Sequence, residues 1–206
     1  MTKLSLLVLP LLLLLADPAA AKPEEWTIDK THSTVGFWVR HLGVAKVRGK
    51  FKQFDGKIVA DDKTGKVRSV EATARTASID TGVEKRDAHL QSEDFFAAEQ
   101  YPELKLVTKN VRWRGKKFTA DVDLTIRDVT KTVQAEGELL GTHTVDWGGG
   151  PELRAGYYGE AKINRKDFNI RWGKVAEGAK VVSDEVTIVV EIEAYRALGA
   201  TGSAAR

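Results

Sequence analysis

The chain contains no cysteine, only one methionine, no dominant charge and no apolar run long enough to span a bilayer. Without cysteine there are no disulfides, zinc–thiolate sites, iron–sulfur clusters or thiol catalysis, and no lipid attachment at an N-terminal cysteine. Lys and Arg number 32 against 29 Asp and Glu, for a net charge of +3. The two signs alternate along the chain without a basic tail or block, so nucleic acid is not an expected partner. The longest apolar stretch, Leu4–Leu15, carries Ser5 and Pro10 and falls short of the roughly 20 residues a transmembrane helix needs. The length of 206 residues suits one compact domain, or at most two small ones, with ample core.

That apolar stretch follows Lys3 and precedes Ala19-Ala20-Ala21. A charged start, an apolar middle and small residues before a cut are the order of a secretory signal peptide. A retained membrane anchor is the alternative, disfavoured by length. The expected mature chain starts near Lys22, loses one charge of each sign and lies outside the cytoplasm. Residues 22–196 show no repeat or linker, and the tail Ala197–Arg206 is expected to be frayed.

Within the mature chain the dominant pattern is alternation. Phe118, Ala120, Val122, Leu124 and Ile126 share one parity while Thr119, Asp121, Asp123 and Thr125 take the other. Val186, Ile188, Val190, Ile192 and Ala194 repeat the pattern, as do Val133, Ala135, Gly137 and Leu139, and Val35, Phe37 and Val39. A period of two marks half-buried strands. Turn signals at Asp61–Gly65, Arg114–Lys116, Asp128–Lys131 and Gly148–Pro151 punctuate the runs. Eight long strands are predicted, near 33–41, 46–60, 66–79, 103–113, 117–127, 131–142, 155–164 and 184–195. Short connections make neighbours antiparallel, and eight such strands close most simply into an all-β barrel. A two-sheet sandwich is the rival. Glu84–Ala98 breaks the period with helix formers, as a cap over one mouth, with Ser92 capping a second turn.

The inward rows contain many small residues: Val70, Ala72, Ala74, Thr76 and Ser78 on the third strand, and Gly159 and Ala161 after Tyr157 on the seventh. An eight-stranded barrel is either filled by its own side chains or holds one small ligand. Bulky Phe37, Phe51, Phe118 and Leu106 could fill the gap; if they do not, the lumen suits a long apolar guest, each buried CH₂ contributing roughly 0.8 kcal/mol.

Several local patterns occur together: Trp26-Thr27-Ile28-Asp29 before His32-Ser33, then Val35-x-Phe37-x-Val39-x-His41-Leu42, Gly49-Lys50-Phe51, and Arg86-Asp87-Ala88-His89-Leu90-x-Ser92-x-Asp94-Phe95-Phe96. Tyr101-Pro102, Asp123–Ile126 before Val129–Lys131, and Arg165-x-Asp167-Phe168-x-Ile170 extend the set, which runs from about Trp26 to Tyr195. Together they resemble the YceI-like family of periplasmic polyisoprenoid-binding proteins. The resemblance implies a lipocalin-like barrel with a short helical cap, a long isoprenoid such as a polyprenyl phosphate or ubiquinone-type lipid in its lumen, and a homodimer as a common assembly. Asn169 and Asp128 stand where the family commonly has glycine, and Leu106 replaces a frequent aromatic. Asn169 bears on the loop near 165–173 and Leu106 on the fit of the guest.

Candidate ligand contacts are Val35, Phe37, Val39, His41, Phe51, Val70, Ala72, Ala74, Thr76, Arg86, His89, Phe95, Phe96, Phe118, Tyr157 and Phe168. Arg86, Asp87 and His89 read either as a polar cluster pinning the cap to the rim or as contacts to a headgroup. His41 ends an inward row, where it either meets a headgroup or bonds a neighbouring strand. Adjacent Phe95 and Phe96 diverge by about a hundred degrees on a helix, so one closes the lumen and the other wedges the cap. Trp38 has outward parity, and Trp147 and Trp172 lie in Gly-flanked loops that could frame an opening or touch a membrane.

No nucleophile elbow, HExxH or phosphate-cradling loop occurs, and His32 and His41 sit at opposite ends of one strand. Neither cofactor nor metal is expected. The expected function is a periplasmic carrier of an isoprenoid lipid without covalent chemistry. The alternatives are a binder of fatty acid or fatty amide, an enzyme acting on the lipid through His41 or His89, and a quinone store for a membrane redox protein.

Overall fold

The structure, a computed structural model, describes residues 22–173, 175–176 and 179–199. The expected leader Met1–Ala21, residues 174, 177 and 178, and the tail from Ala200 lie outside the described residues. In chain order the strands are β1 (Pro23–Ile28), β2 (Thr34–His41), β3 (Ala45–Phe51), β4 (Phe54–Asp61), β5 (Val67–Arg75) and β6 (Ile79–Asp80). Helix α1 (Glu84–Gln91) follows, then β7 (Glu103–Arg114), β8 (Lys117–Ile126), β9 (Val129–Asp146) and β10 (Pro151–Asn164). A short hairpin of β11 (Val175–Ala176) and β12 (Ala179–Lys180) precedes β13 (Val182–Ala197).

Eight antiparallel strands close the barrel in the order β1-β4-β5-β7-β8-β9-β10-β13, with β1 pairing back onto β13. Strands β2, β3 and β6 continue the wall beyond β13. Closure rather than a sandwich follows from the β1–β13 contact, where Thr27 faces Tyr195 and Ile28 faces Ala194. Strand β1 lies outside the eight predicted strands, and the predicted strand 46–60 is broken at 52–53 into β3 and β4, where Lys52 N–H and Gln53 N–H donate to Ser78 O and Ser78 Oγ. β1 and β2 both pair with β13 on either side of a bend at 29–33.

Three other boundaries move. The third strand stops at Arg75, where a 3-10 turn over Thr76–Ser78 takes Thr76 and Ser78 out of the inward row. Thr76 Oγ1 instead donates to Tyr101 O at 2.7 Å, and Ser78 Oγ to Arg75 O at 2.7 Å. The helix is confined to Glu84–Gln91, and a second turn follows it, with Phe95 N–H and Ala97 N–H donating to Ser92 O; Ser92 does not cap that turn with its side chain, since its N–H and Oγ both donate back to His89 O. The tail is ordered at its start, since Ala197 still faces Glu152 and Leu198 N–H donates to Pro151 O at 2.8 Å.

Of the family-pattern departures, Asn169 adopts φ 61 at the end of the 3-10 turn Arg165–Phe168. Asparagine tolerates this left-handed conformation better than most side chains, so the loop keeps the geometry that glycine would give it. At the β8–β9 turn the positive φ falls on Arg127, at 59°, and not on Asp128. Gly137 is required for packing: a Cβ there would lie 2.2 Å from Tyr158 O and 2.6 Å from the Phe118 ring.

Candidate functional site

The alternating rows converge on the barrel axis. Phe118, Ala120, Val122, Leu124 and Ile126 of β8 face Val133 and Ala135 of β9, Tyr157, Gly159, Ala161 and Ile163 of β10, and Val186, Ile188, Val190 and Ile192 of β13 across one cavity. Its volume is about 270 Å³, against roughly 10–15 Å³ on the same measure for one water molecule. Ala72, Leu106, Ala135, Ala161 and Ile188 are only half-buried although they point inward, because the surface they expose is the cavity wall. Phe37, Phe51, Phe118 and Leu106 line this space rather than fill it.

One end is sealed. Trp26, Ala60, Ala155 and Ala194 are each at most 1% exposed and pack with Ile58, Leu139 and Tyr157. Tyr157 reaches across to donate its hydroxyl to Gly65 O at 2.7 Å, and burial pushes its phenol pKa well up. Trp113 Nε1 donates to Val67 O at 2.8 Å and closes a seam where the β5–β7 ladder has ended.

The other end carries the cap. Phe95 packs with Phe168, Ile170 and Ile126, while Phe96 packs edge-on against Phe51 at 5.9 Å between ring centres. The two adjacent phenylalanines thus serve opposite sides of the mouth, and both line the cavity. His89 stacks edge-on against Phe95 at 5.1 Å and Trp172 at 5.2 Å, and its Nε2 is paired with Asp94 Oδ2 at 2.9 Å. Arg86 and Asp87 both hold Thr81. Thr81 N–H donates to Asp87 Oδ1 at 2.9 Å, and Arg86 donates to Thr81 Oγ1 at 2.7 Å and Thr81 O at 2.8 Å. This ties α1 to the end of β6.

The mouth is braced by a buried cation that parity alone does not single out. Arg165, 5% exposed, donates to Ser183 O at 3.0 Å, Ile170 O at 3.1 Å, Trp172 O and Asp184 Oδ1 at 3.1 Å. Burial lowers its pKa, opposed by Asp184. Asp184 also accepts from Lys166 and Lys180, and these bonds lower its carboxyl to about 2. The guanidinium fixes the 170–172 segment to β13.

Of the candidate contacts, Val35, Phe37, Phe51, Val70, Ala72, Ala74, Phe95, Phe96, Phe118 and Tyr157 line the cavity. Six stand apart from its lining. Val39 and His41 lie on the part of β2 that runs past the mouth, where His41 is exposed. Thr76 turns onto the backbone of Tyr101, Arg86 onto Thr81, and His89 packs outside Phe95. Phe168 is 1% exposed beneath the mouth cluster.

A second polar cluster links residues far apart in sequence. Asp29, His32 and Glu193 bring ligand-type atoms within 4.8 Å of one another. Arg154 already sits among them, donating to Asp29 Oδ2 at 2.9 Å, Glu152 Oε1 at 2.6 Å and Glu193 Oε1. Bonds from Thr31, His32 and Arg154 hold Asp29 well below the usual carboxylate range, and Asp29 in turn raises His32. The arrangement clasps the β1–β2 bend to β10 and β13, with the guanidinium supplying the positive charge.

A closed antiparallel barrel with an apolar bore, one sealed end and one capped mouth defines the class. The chain belongs to the YceI-like family, whose domain matches residues 26–194. It is 36% identical over 193 residues to Protein YceI of Escherichia coli O157:H7, covering 93% of this chain and 97% of that one. The crystal structure of the Campylobacter jejuni YceI protein superposes with a TM-score of 0.66 at 29% identity, over 85% of this chain and 99% of its own. A polyisoprenoid-binding domain from Saccharophagus degradans shares the fold at a TM-score of 0.57 and 13% identity, covering 86% and 100% of the two chains.

Proposed function

We propose that this protein is a carrier that sequesters one long isoprenoid chain in its barrel, outside the cytoplasm, after removal of Met1–Ala21. The observation that carries the reading is the bore: about 270 Å³ walled by apolar side chains from Tyr157 to Phe95. A hydrocarbon gains roughly 0.8 kcal/mol for each CH₂ it buries there, and no catalytic group is needed for tight binding. The polyisoprenoid-binding activity in the name of the Saccharophagus degradans domain supports the choice of lipid.

The rival readings fit less well. A general base must reach its substrate within hydrogen-bond distance. His41 is exposed beyond the mouth and His89 is paired with Asp94 outside Phe95, so neither faces the bore. A fatty acid entering head-first would need a partner for its carboxylate inside, and Arg165 is committed to three carbonyls and Asp184. Native mass spectrometry and organic extraction of the purified protein test the proposal. The expected result is one apolar lipid per barrel with the mass of an isoprenoid. A fatty-acid mass, or no lipid after exposure to isoprenoid-containing membranes, overturns it.

A further inference from the structure

We infer that the β2–β3 hairpin docks the mouth of the barrel onto an anionic lipid bilayer. Between Asp29 and Asp55 the chain contains Lys30, Arg40, Lys46, Arg48, Lys50 and Lys52 but no Asp or Glu. The two signs are therefore not evenly interspersed, as the near-balance of the whole chain suggests: residues 30–54 carry positive charge alone. In the ladder, Arg40 lies opposite Lys46, Trp38 opposite Arg48 and Gly36 opposite Lys50, so the cations share the outward face. Like charges directly opposite each other destabilise a strand pair. Asp80 offsets the base of the hairpin, facing Lys50 across the β3–β6 ladder and lying 3.9 Å from Lys52, but among the described residues no carboxylate pairs with Arg40 or Arg48, and Lys46 lies over the Trp38 ring at 3.8 Å. Such an uncompensated array costs stability unless something anionic meets it.

The tip and the location identify what that is. Leu42 and Val44, 37% and 81% exposed, cap the hairpin with apolar side chains. The hairpin rises at the capped end of the barrel. His41 faces Val182, Arg40 N–H donates to Ser183 Oγ at 3.0 Å, and Ser183 O accepts from the Arg165 that holds the mouth segment. Its other face carries Val39 opposite Val47, continuing the row that becomes Phe37 and Val35 inside the bore. Basic residues flanking an exposed apolar tip match phosphate headgroups above acyl chains. The opposite end also exposes an aromatic, Trp147 at 76%, but its loop is acidic: Trp147 Nε1 donates to Glu152 and Asp146 accepts from Gly148 N–H. Charge complementarity therefore selects the hairpin over the Trp147 loop. A second copy as partner would bring like charges together.

Docked this way, the apolar track from hairpin to bore is the route by which a lipid would enter, which rests on the carrier reading. Docking itself is measured independently of it. Purified protein is sedimented with phosphatidylcholine vesicles and with vesicles of equal parts phosphatidylcholine and phosphatidylglycerol. Binding to the anionic vesicles alone, weakened by salt, is expected. Each cation removed should weaken it roughly fivefold, so Arg40→Gln/Lys46→Gln/Arg48→Gln loses on the order of 100-fold. Val44→Asp should also weaken it, while Trp147→Ala should not. The lipid mass already carried by the triple variant should be unchanged, which separates failure of docking from failure of the carrier reading. Salt-insensitive binding, binding equal on both vesicle types, or equal loss in Trp147→Ala overturns the inference. Dimerisation abolished by the triple substitution, without vesicle binding, would assign the face to a second copy instead.

Discussion

Asp184 gathers three cations at the mouth, and only one of them is buried. Removing its charge leaves Arg165 without its counter-ion, a change that typically costs about 3–5 kcal/mol when a buried pair is broken. Because Arg165 keeps its three carbonyl partners, Asp184→Asn is expected to cost about 1–3 kcal/mol in urea unfolding. The carboxyl is depressed to about 2 in the fold. Its contribution is therefore complete above the unfolded value near 4 and is lost as pH falls from there through about 2. Acid unfolding of Asp184→Asn should lack that part of the pH dependence, and an unchanged acid transition would show that the cluster does not couple to folding. Asn169 provides a second check at this scale. Asn169→Gly should be close to neutral, whereas Asn169→Val, forced to φ 61, should lose about 1–2 kcal/mol.

The cap and the wall can be tested as elements. Helix α1 has no buried residue of its own, so its position depends on the Thr81 knot and on the phenylalanines that follow it. Asp87→Ala frees the Thr81 N–H and the Thr81 hydroxyl, both of which donate to Asp87 Oδ1. Faster amide exchange across 84–91 and faster lipid release are expected, with barrel strands still protected. Equal exchange across the whole chain would mean that the cap does not open on its own. On the wall, Ala161 lies opposite Ala135 and exposes its methyl to the bore. Ala161→Trp should fold, since the volume of the bore accepts the ring, and should reduce extracted lipid severalfold. Destabilisation by about 1–3 kcal/mol, the usual cost of overpacking, would instead indicate that the waist is already full.

At the scale of the molecule, the barrel was legible because its strands obey a strict period of two. The rows on β8 and β10 line the bore as their parity dictates, as does that on β13 from Val186 to Ile192, while Ala194 belongs to the sealed end. What period-two reading missed are its interruptions. The bend between β1 and β2 depends on Asp29 meeting Arg154, a contact 125 residues away in sequence. The turn at Thr76–Ser78 depends on the backbone of Tyr101 and Gln53. His41 has inward parity, yet its strand outruns the barrel, and parity carries no information on where a wall ends. Arg165 stood within a recognisable motif, but its burial arises only when β13 and the 170–172 segment fold over it. The basic hairpin was hidden by the near-zero total charge.

The central claim is that these strands enclose a bore holding a hydrocarbon chain. Crystallographic density along the barrel axis, from protein purified without delipidation, tests it most directly. The account predicts one continuous tube of density, bulging at the regularly spaced methyl groups of an isoprenoid, running from Tyr157 toward Phe95 and Phe96 at the cap. Discrete water peaks in that space, or a wall collapsed so that Phe37, Phe118 and Leu106 meet across the axis, would contradict it.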